Sequence, residues 1–217
     1  MIKNIQTILF DMDVVVVDSE KLHLQAMELA LKTFGIEISQ EQLLEFVGRS
    51  DEAFFLYIYN EVSQVAAINT MLEEKNKQFD ILHNNLQFVD GFSNFISKVH
   101  LRKLKTALVT SSSQYSVGRA NEIPNHTKLF DVVVCEESTK RHKPNPEPYL
   151  LGLEKTNSKA SGTLVIEDSI NGIIAGKAAR CTVIGLTTSF GKDRLLDAGA
   201  DYVADSYEEI ATLLTFC

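Results

Sequence analysis

Cysteine is scarce and scattered in this chain. Its three residues, Cys135, Cys181 and Cys217, form no CxxC pair and no Cys/His cluster, so the pattern encodes neither a zinc site nor a disulfide framework and suits a reducing compartment. An excess of basic charge is missing too. A formal net charge of −8 argues against general affinity for nucleic acid or an anionic membrane, because phosphate-rich partners require clustered lysine and arginine. The opening segment MIKNIQTILFDMD lacks the apolar stretch and small-residue cleavage site of a secretory leader, and no run is long enough to span a bilayer, which points to the cytoplasm. There is no internal repeat and no low-complexity tract.

What is there is a chain of 217 residues, 45% hydrophobic and 23% charged, enough to bury a full core in one or two domains. IQTILF runs apolar and β-branched into Asp11, TALVTSS (106–112) into a hydroxyl cluster, and DVVVCEE and TLVIEDS into acids. With TVIGL (182–186) and DYVAD (201–205), they predict six buried strands. Helical segments alternate with them, so the expected class is α/β, a Rossmann-like parallel sheet covered on both faces.

The alternation breaks once, between about residues 19 and 103, where only helical patterns occur. Leu22, Ala26, Leu29 and Ala30 fall at helical spacing before Gly35, a C-terminal stop. Ser39 with Gln42 forms a capping-box pattern, and Asp51 and Glu52 suit the first turn of a further helix. So large an insertion exceeds one crossover helix and predicts a helical cap domain over 18–88, with the core made of 1–17 and 89–217. Asp90-Gly91 marks the return.

In a parallel α/β sheet the ligand crevice lies beyond the carboxyl ends of the strands. Asp11 and Asp13 follow the first strand, Thr110 to Ser113 the second, Lys143 comes after the third, and Glu167-Asp168 ends the fourth. Acids this close raise one another's pKa unless a cation compensates, and a hard divalent ion such as Mg²⁺ is the natural one. The set has the parts of phosphoryl transfer: a carboxylate nucleophile, a second carboxyl for proton transfer, a metal, hydroxyl and amide donors, and a lysine. Each part also has a plainer reading. The acids could simply face solvent, the hydroxyls could cap a helix, Lys143 could be a surface lysine before a proline-initiated helix, and Glu167 could be a structural pair partner.

Taken in order, DMDVVVVDSE, LVTSS, KPNPEPY and VIEDSINGIIAGKAA resemble the four motifs of the haloacid dehalogenase superfamily, in its phosphatase and β-phosphoglucomutase group with an α-helical cap. The resemblance spans almost the whole chain. It implies Asp11 as the nucleophile that forms an aspartyl-phosphate and Asp13 as the acid/base. It implies Thr110 and the Ser111 backbone as holders of the phosphoryl group, with Lys143 offsetting its charge. Mg²⁺ would be held by Asp168, Asp11 and the Asp13 carbonyl, with Glu167 as neighbour or water-mediated ligand. In the cap, His23 and Lys75 match positions that face substrate in the mutase branch, although a lone His or Lys on a helix is more often a packing or surface residue. Arg49 could bind a distal anionic group or be exposed, and Phe54, Phe55, Tyr57 and Tyr59 read as cap core.

One position departs from the family pattern. Where the family usually has Gly after the second Asp, this chain has Val14, and a β-branched residue is costly at φ > 0. Either the turn runs at φ < 0 or Asp13 is shifted. Arg180 stands where the family often has Gly at a helix end, and Asp18-Ser19 is expected to cap the first cap helix through either side chain.

The implied activity is a Mg²⁺-dependent phosphatase acting on a small phosphorylated metabolite, such as a sugar phosphate, in a protein that works as a monomer. Two alternatives stand beside it: a β-phosphoglucomutase-type hexose phosphate mutase, and a phosphate-ligand binding protein that lost turnover through Val14. A dehalogenase has no use for Asp13 or for a metal pocket at Asp168.

Overall fold

The six apolar runs become the six strands of one parallel sheet: β1 (Thr7–Phe10), β2 (Lys105–Val109), β3 (Val132–Val134), β4 (Thr163–Glu167), β5 (Thr182–Leu186) and β6 (Tyr202–Ala204). The computed structural model describes residues 2–44, 46, 51–82, 86–120 and 126–216; Arg49 and Cys217 lie outside them. The strand order is β3-β2-β1-β4-β5-β6, which reverses direction between β1 and β4. That reversal is a topological switch point, the place where an open α/β sheet leaves a crevice at its carboxyl edge. Register aligns Phe10 with both Leu108 and Ile166, so the residues that follow β1, β2 and β4 emerge side by side.

The chain divides into two compact units, Met1–Asp18 with Gln87–Cys217, and Ser19–Leu86. The first is the sheet with α5 (Phe92–Leu101), α6 (Gln114–Ala120), α7 (Glu147–Lys155), α8 (Ile170–Ala178), α9 (Lys192–Asp197) and α10 (Tyr207–Leu213). Alternation along the strands sends successive side chains to opposite faces. Leu9, Val109, Val165 and Val183 pack with Tyr149, Leu153 and Ile173 on one face. Phe10 faces the other way, in edge contact with Phe92, Phe95 and Phe130.

The second unit holds the cap-like helices α1 (Glu20–Thr33), α2 (Gln40–Leu44), α3 (Asp51–Tyr57) and α4 (Ile68–Leu82). Its core is Met27, Leu31, Ile36, Leu43, Phe46, Phe54, Phe55, Ile58 and Met71, with Tyr57 and Tyr59 partly buried against it, as the aromatic run predicts. Ser39 and Gln42 exchange both capping-box hydrogen bonds, Gln42 N donating to Ser39 Oγ at 3.2 Å and Ser39 N to Gln42 Oε1 at 3.1 Å. Ser19 stands at the N-cap of α1, but its hydroxyl makes no capping bond: its backbone is already near-helical, at φ −93° and ψ −18°, whereas a capping side chain needs an extended N-cap to reach the amides of the first turn. No helix among the described residues is long and apolar enough to cross a membrane.

Helix ends are closed by a recurrent backbone device. At the end of α8, Arg180 N donates to Lys177 O and Cys181 N to Gly176 O, the paired bonds of a Schellman motif, which require a left-handed residue. Arg180 supplies it at φ 63°. Gly35 does the same after α1 at φ 70°, the stop expected from the sequence.

Val14 does not take the φ < 0 turn that was one of the two courses open to it on sequence grounds. Its φ is 55°, so a valine occupies the left-handed conformation directly. The surrounding backbone imposes it: Val14 N donates to Val17 O at 2.7 Å, and the amides of Val16 and Val17 both donate to Met12 O, at 2.8 and 3.0 Å. Tyr207 Oη donates to Val15 O at 2.7 Å, and Val15, Val16 and Val17 are fully buried. A turn so over-determined can hold a residue that costs about 1–3 kcal/mol in this region. Val14→Gly and Arg180→Gly are each expected to raise stability by about 1 kcal/mol, read as a higher urea midpoint. A lower midpoint for Val14→Gly alone would mean that the valine side chain contributes more by packing than its backbone costs.

Candidate active site

Asp11 is the first residue past β1, its amide donating to Ile166 O at 3.0 Å on the neighbouring strand. Its carboxylate meets Lys143, whose Nζ donates to Asp11 Oδ1 at 2.5 Å, to Glu167 Oε1 at 2.7 Å and to the carbonyl of Val109 at 2.9 Å. All three ammonium donors are therefore used, and the Lys143 side chain is 5% exposed. A surface lysine this is not. Its loop is shaped by Glu147, whose carboxylate accepts from Lys140 N and Arg141 Nε, each at 2.9 Å.

Glu167 is the hub. Besides Lys143, its Oε1 accepts from Tyr149 Oη at 2.7 Å, while Oε2 accepts from Ser169 Oγ at 2.9 Å and from the amides of Ser169 and Asp168 at 3.1 and 3.2 Å. Gly172 makes the room: a Cβ there would lie 1.7 Å from Glu167 Oε1. With both oxygens so fully hydrogen-bonded, Glu167 fixes its neighbours more directly than it can offer lone pairs to an ion. Asp168 accepts from Ser189 Oγ through Oδ2, which leaves Oδ1.

Asp13 Oδ2 accepts from Ser112 Oγ at 2.6 Å, in the loop after β2. Thr110, 3% exposed, accepts from Ser112 N at 2.9 Å through Oγ1, so its hydroxyl proton stays available to an anion. The amide of Ser111 makes no hydrogen bond among the described residues. Ser113 Oγ accepts from Ser116 N at 3.2 Å in the first turn of α6, so the hydroxyl cluster also caps a helix.

Asp11, Glu167 and Asp168 are all buried, and their carboxylate oxygens lie within 4.8 Å of one another. Three acids face one ammonium. The Asp11 carboxyl is raised to about 7, by burial first, against the pull of Lys143 and with a further push from Glu167 and Asp13. Asp168 is raised well above the ordinary carboxylate range by burial, then by Glu167 and Asp11. Burial opposes the charge on Lys143, but Asp11 and Glu167 outweigh it and hold its pKa above the ordinary value. The protein's own charges thus leave the cluster short of positive charge, the condition that a hard cation with oxygen ligands relieves. The donor set fits a metal ion, with Asp11 and Asp168 as the carboxylates best able to reach it.

His23 and Lys75 belong to the helical unit, where they meet each other. Lys75 Nζ donates to Asp51 Oδ2 at 2.5 Å and lies 2.9 Å from His23 Nδ1, and the His23 ring stacks on Phe79 at 4.3 Å. The Lys75 side chain is 3% exposed. Sequence reasoning named Ser112 only as one of the Thr110–Ser113 hydroxyls and missed Tyr149, Ser169 and Ser189. Tyr149 closes the KPNPEPY motif and Ser169 follows the acid pair, so their neighbourhood was visible; Ser189 carries no signal of its own.

The haloacid dehalogenase-like hydrolase family matches the chain over residues 8–186, and the protein belongs to it. Among curated proteins, the chain is 29% identical over 220 residues to a phosphoglycolate phosphatase of Vibrio parahaemolyticus, covering 96% of this chain and 95% of that one. It is 28% identical over 202 residues to a phosphorylated carbohydrates phosphatase of Thermotoga maritima, covering 90% and 92%. Among solved structures, a Thermotoga maritima protein provisionally named a β-phosphoglucomutase superposes with a TM-score of 0.83 at 26% identity, covering 97% of this chain and 99% of that one.

Two outcomes follow for the charge cluster. Between pH 4 and 7 the folded state retains protons on Asp11 that the unfolded chain has released, since its pKa rises from 3.8 to about 7 on folding; stability without metal therefore falls as pH rises through that window. Mg²⁺ is expected to raise the melting temperature more at pH 8 than at pH 5, measured by calorimetry against EDTA. Gly172→Ala is expected to destabilise by about 1–3 kcal/mol, read from urea unfolding, because the added methyl displaces the Glu167 carboxylate.

Proposed function

We propose that this hydrolase is a Mg²⁺-dependent phosphomonoesterase that acts on a small phosphorylated metabolite, such as a sugar phosphate, through an aspartyl-phosphate on Asp11, working as a cytoplasmic monomer. The observation that carries the reading is the convergence at one sheet edge of Asp11, held by Lys143 at 2.5 Å, with Glu167 and Asp168, their carboxylate oxygens within 4.8 Å of one another, beside the Thr110 hydroxyl and Asp13, which accepts from Ser112 Oγ. Two carboxyls at one strand end can divide the work of nucleophile and acid/base.

Asp11 attacks phosphorus through the oxygen that Lys143 does not hold, and the ester P–O bond breaks. Asp13 gives its proton to the leaving oxygen, then takes one from the water that attacks the aspartyl-phosphate and frees inorganic phosphate. Thr110 Oγ1 and the Ser111 amide donate to the oxygens of the transferring group, and Lys143 keeps Asp11 in line. Asp11, Asp168 and the Asp13 carbonyl would hold Mg²⁺, which when bound would supply positive charge for the phosphoryl oxygens. Glu167, fully hydrogen-bonded, is assigned the setting of Lys143 and Asp168, or contact through water.

A second reading, a hexose phosphate mutase, draws on the Thermotoga maritima structure and on the juxtaposition of His23 and Lys75 as cap contacts to substrate. Against it stands the commitment of the Lys75 ammonium to Asp51 and His23, which competes with any substrate phosphate. The reading as a binding protein without turnover rested on Val14 disturbing Asp13. The left-handed conformation that Val14 adopts supports a turn able to present Asp13, and so favours turnover.

Phosphate release from an aryl phosphate is expected with Mg²⁺, to be absent with EDTA, and to fall about a thousandfold or more in Asp11→Asn. Rapid isomerisation of β-glucose 1-phosphate with little free phosphate would replace the phosphatase with the mutase. No turnover of a broad metabolite panel would remove both.

A further inference from the structure

Ser189 lies in the loop between β5 and α9, remote in sequence from every motif that carries the chemistry. Its hydroxyl nevertheless donates to Asp168 Oδ2. A carboxylate with one oxygen fixed by a hydroxyl presents the other in a defined direction, which is how an outer partner orients a metal ligand.

The loop is anchored on both sides of this residue. Ahead of it, Thr187 N donates to Ala204 O at 3.1 Å and Thr187 Oγ1 donates to Asp205 Oδ1 at 2.6 Å. Behind it, Phe190 packs against the sheet core, with the Arg194 guanidinium 4.3 Å from its ring centroid. From the other direction, Asp168 is tied through its amide to Glu167 Oε2 at 3.2 Å. The backbone on either side of Ser189 is thus anchored, which keeps its Cβ beside Asp168 and leaves the hydroxyl within reach of Oδ2.

We propose that Ser189 is a positioning residue for the metal site: by holding Asp168 Oδ2 it turns Oδ1 toward the ion and makes Asp168 a one-oxygen ligand. This rests on the metal reading given above. It assigns to the β5–α9 loop a part in metal affinity that neither the acid pair at 167–168 nor its neighbours supply.

The test is calorimetric titration of Mg²⁺ into the full-length protein without substrate, for the wild type, Ser189→Ala and Ser189→Thr. Ser189→Ala is expected to weaken Mg²⁺ binding about 10–100-fold, with an unchanged urea midpoint in EDTA, and Ser189→Thr, which keeps the hydroxyl, to recover most of that loss. Wild-type affinity in Ser189→Ala overturns the assignment, as does a loss that Ser189→Thr fails to recover or a fall in the urea midpoint that accounts for it. A wild type that binds no Mg²⁺ overturns the metal site and this role together. One that binds Mg²⁺ but hydrolyses no phosphoester removes the phosphatase reading and leaves the role of Ser189 standing.

Discussion

Too many negative charges are buried at one point of this molecule, and most of what surrounds them is arranged to make that tolerable. Asp11, Glu167 and Asp168 converge at the carboxyl edge of the sheet, where desolvation penalises each ionised form. Lys143 answers part of the excess and is itself buried only because it is answered in turn: three acceptors take its three protons. Neither side of this arrangement is viable alone, since a buried charge stripped of its partner is far costlier than the pair.

The constraint reaches outward in identifiable steps. Lys143 must arrive from the loop before α7, so that loop is tied down by Glu147 and its helix carries Tyr149 to the same carboxylate that Lys143 contacts. Glu167 must fit beneath the start of α8, so the helix has a glycine where a methyl group would collide. Ser169 serves both ends, accepting from Gly172 N at 3.0 Å as the N-cap of α8 and donating to Glu167. The strand order brings these loops to one edge, and the residual negative charge is what a divalent cation would use.

The fold was legible in the sequence because burial and chemistry coincide at strand ends. An apolar run such as TLVI must be interior, and the acids that end it must be at an edge, so strand and site residue are read from the same few letters. Asp11, Glu167 and Asp168 were placed this way, whereas Lys143, nine residues past β3, was named from the KPNPEPY motif. Ser189 was not, and the partner of Ser112 was not, because a serine in a loop looks the same whether it faces solvent or a carboxylate, and the partners are 21 and 99 residues away. The backbone of Val14 was also beyond reach: the valine argued for φ < 0 or a displaced Asp13, and only the hydrogen bonds of residues 12–17 reveal that the turn overrides the side chain. His23 and Lys75 illustrate the converse, since spacing placed each on a helix but could not say that Asp51 would engage the lysine.

Between β1 and α5 the chain leaves the sheet unit and comes back through a narrow stalk. Asp18 N donates to Gln87 O at 2.9 Å, and Val89 N to Val16 O at 3.0 Å, so the departing and returning segments are paired like the two sides of a hairpin. To the sheet, everything from Ser19 to Leu86 is topologically equivalent to a hairpin turn. A segment grafted at such a point can lengthen, shorten or be exchanged at little cost to the register of β1 against its neighbours, because the entropy of closing a loop grows only slowly with its length. The catalytic edge and the helical insert are therefore free to diverge at different rates, the first frozen by its charges and the second answerable mainly to its own core.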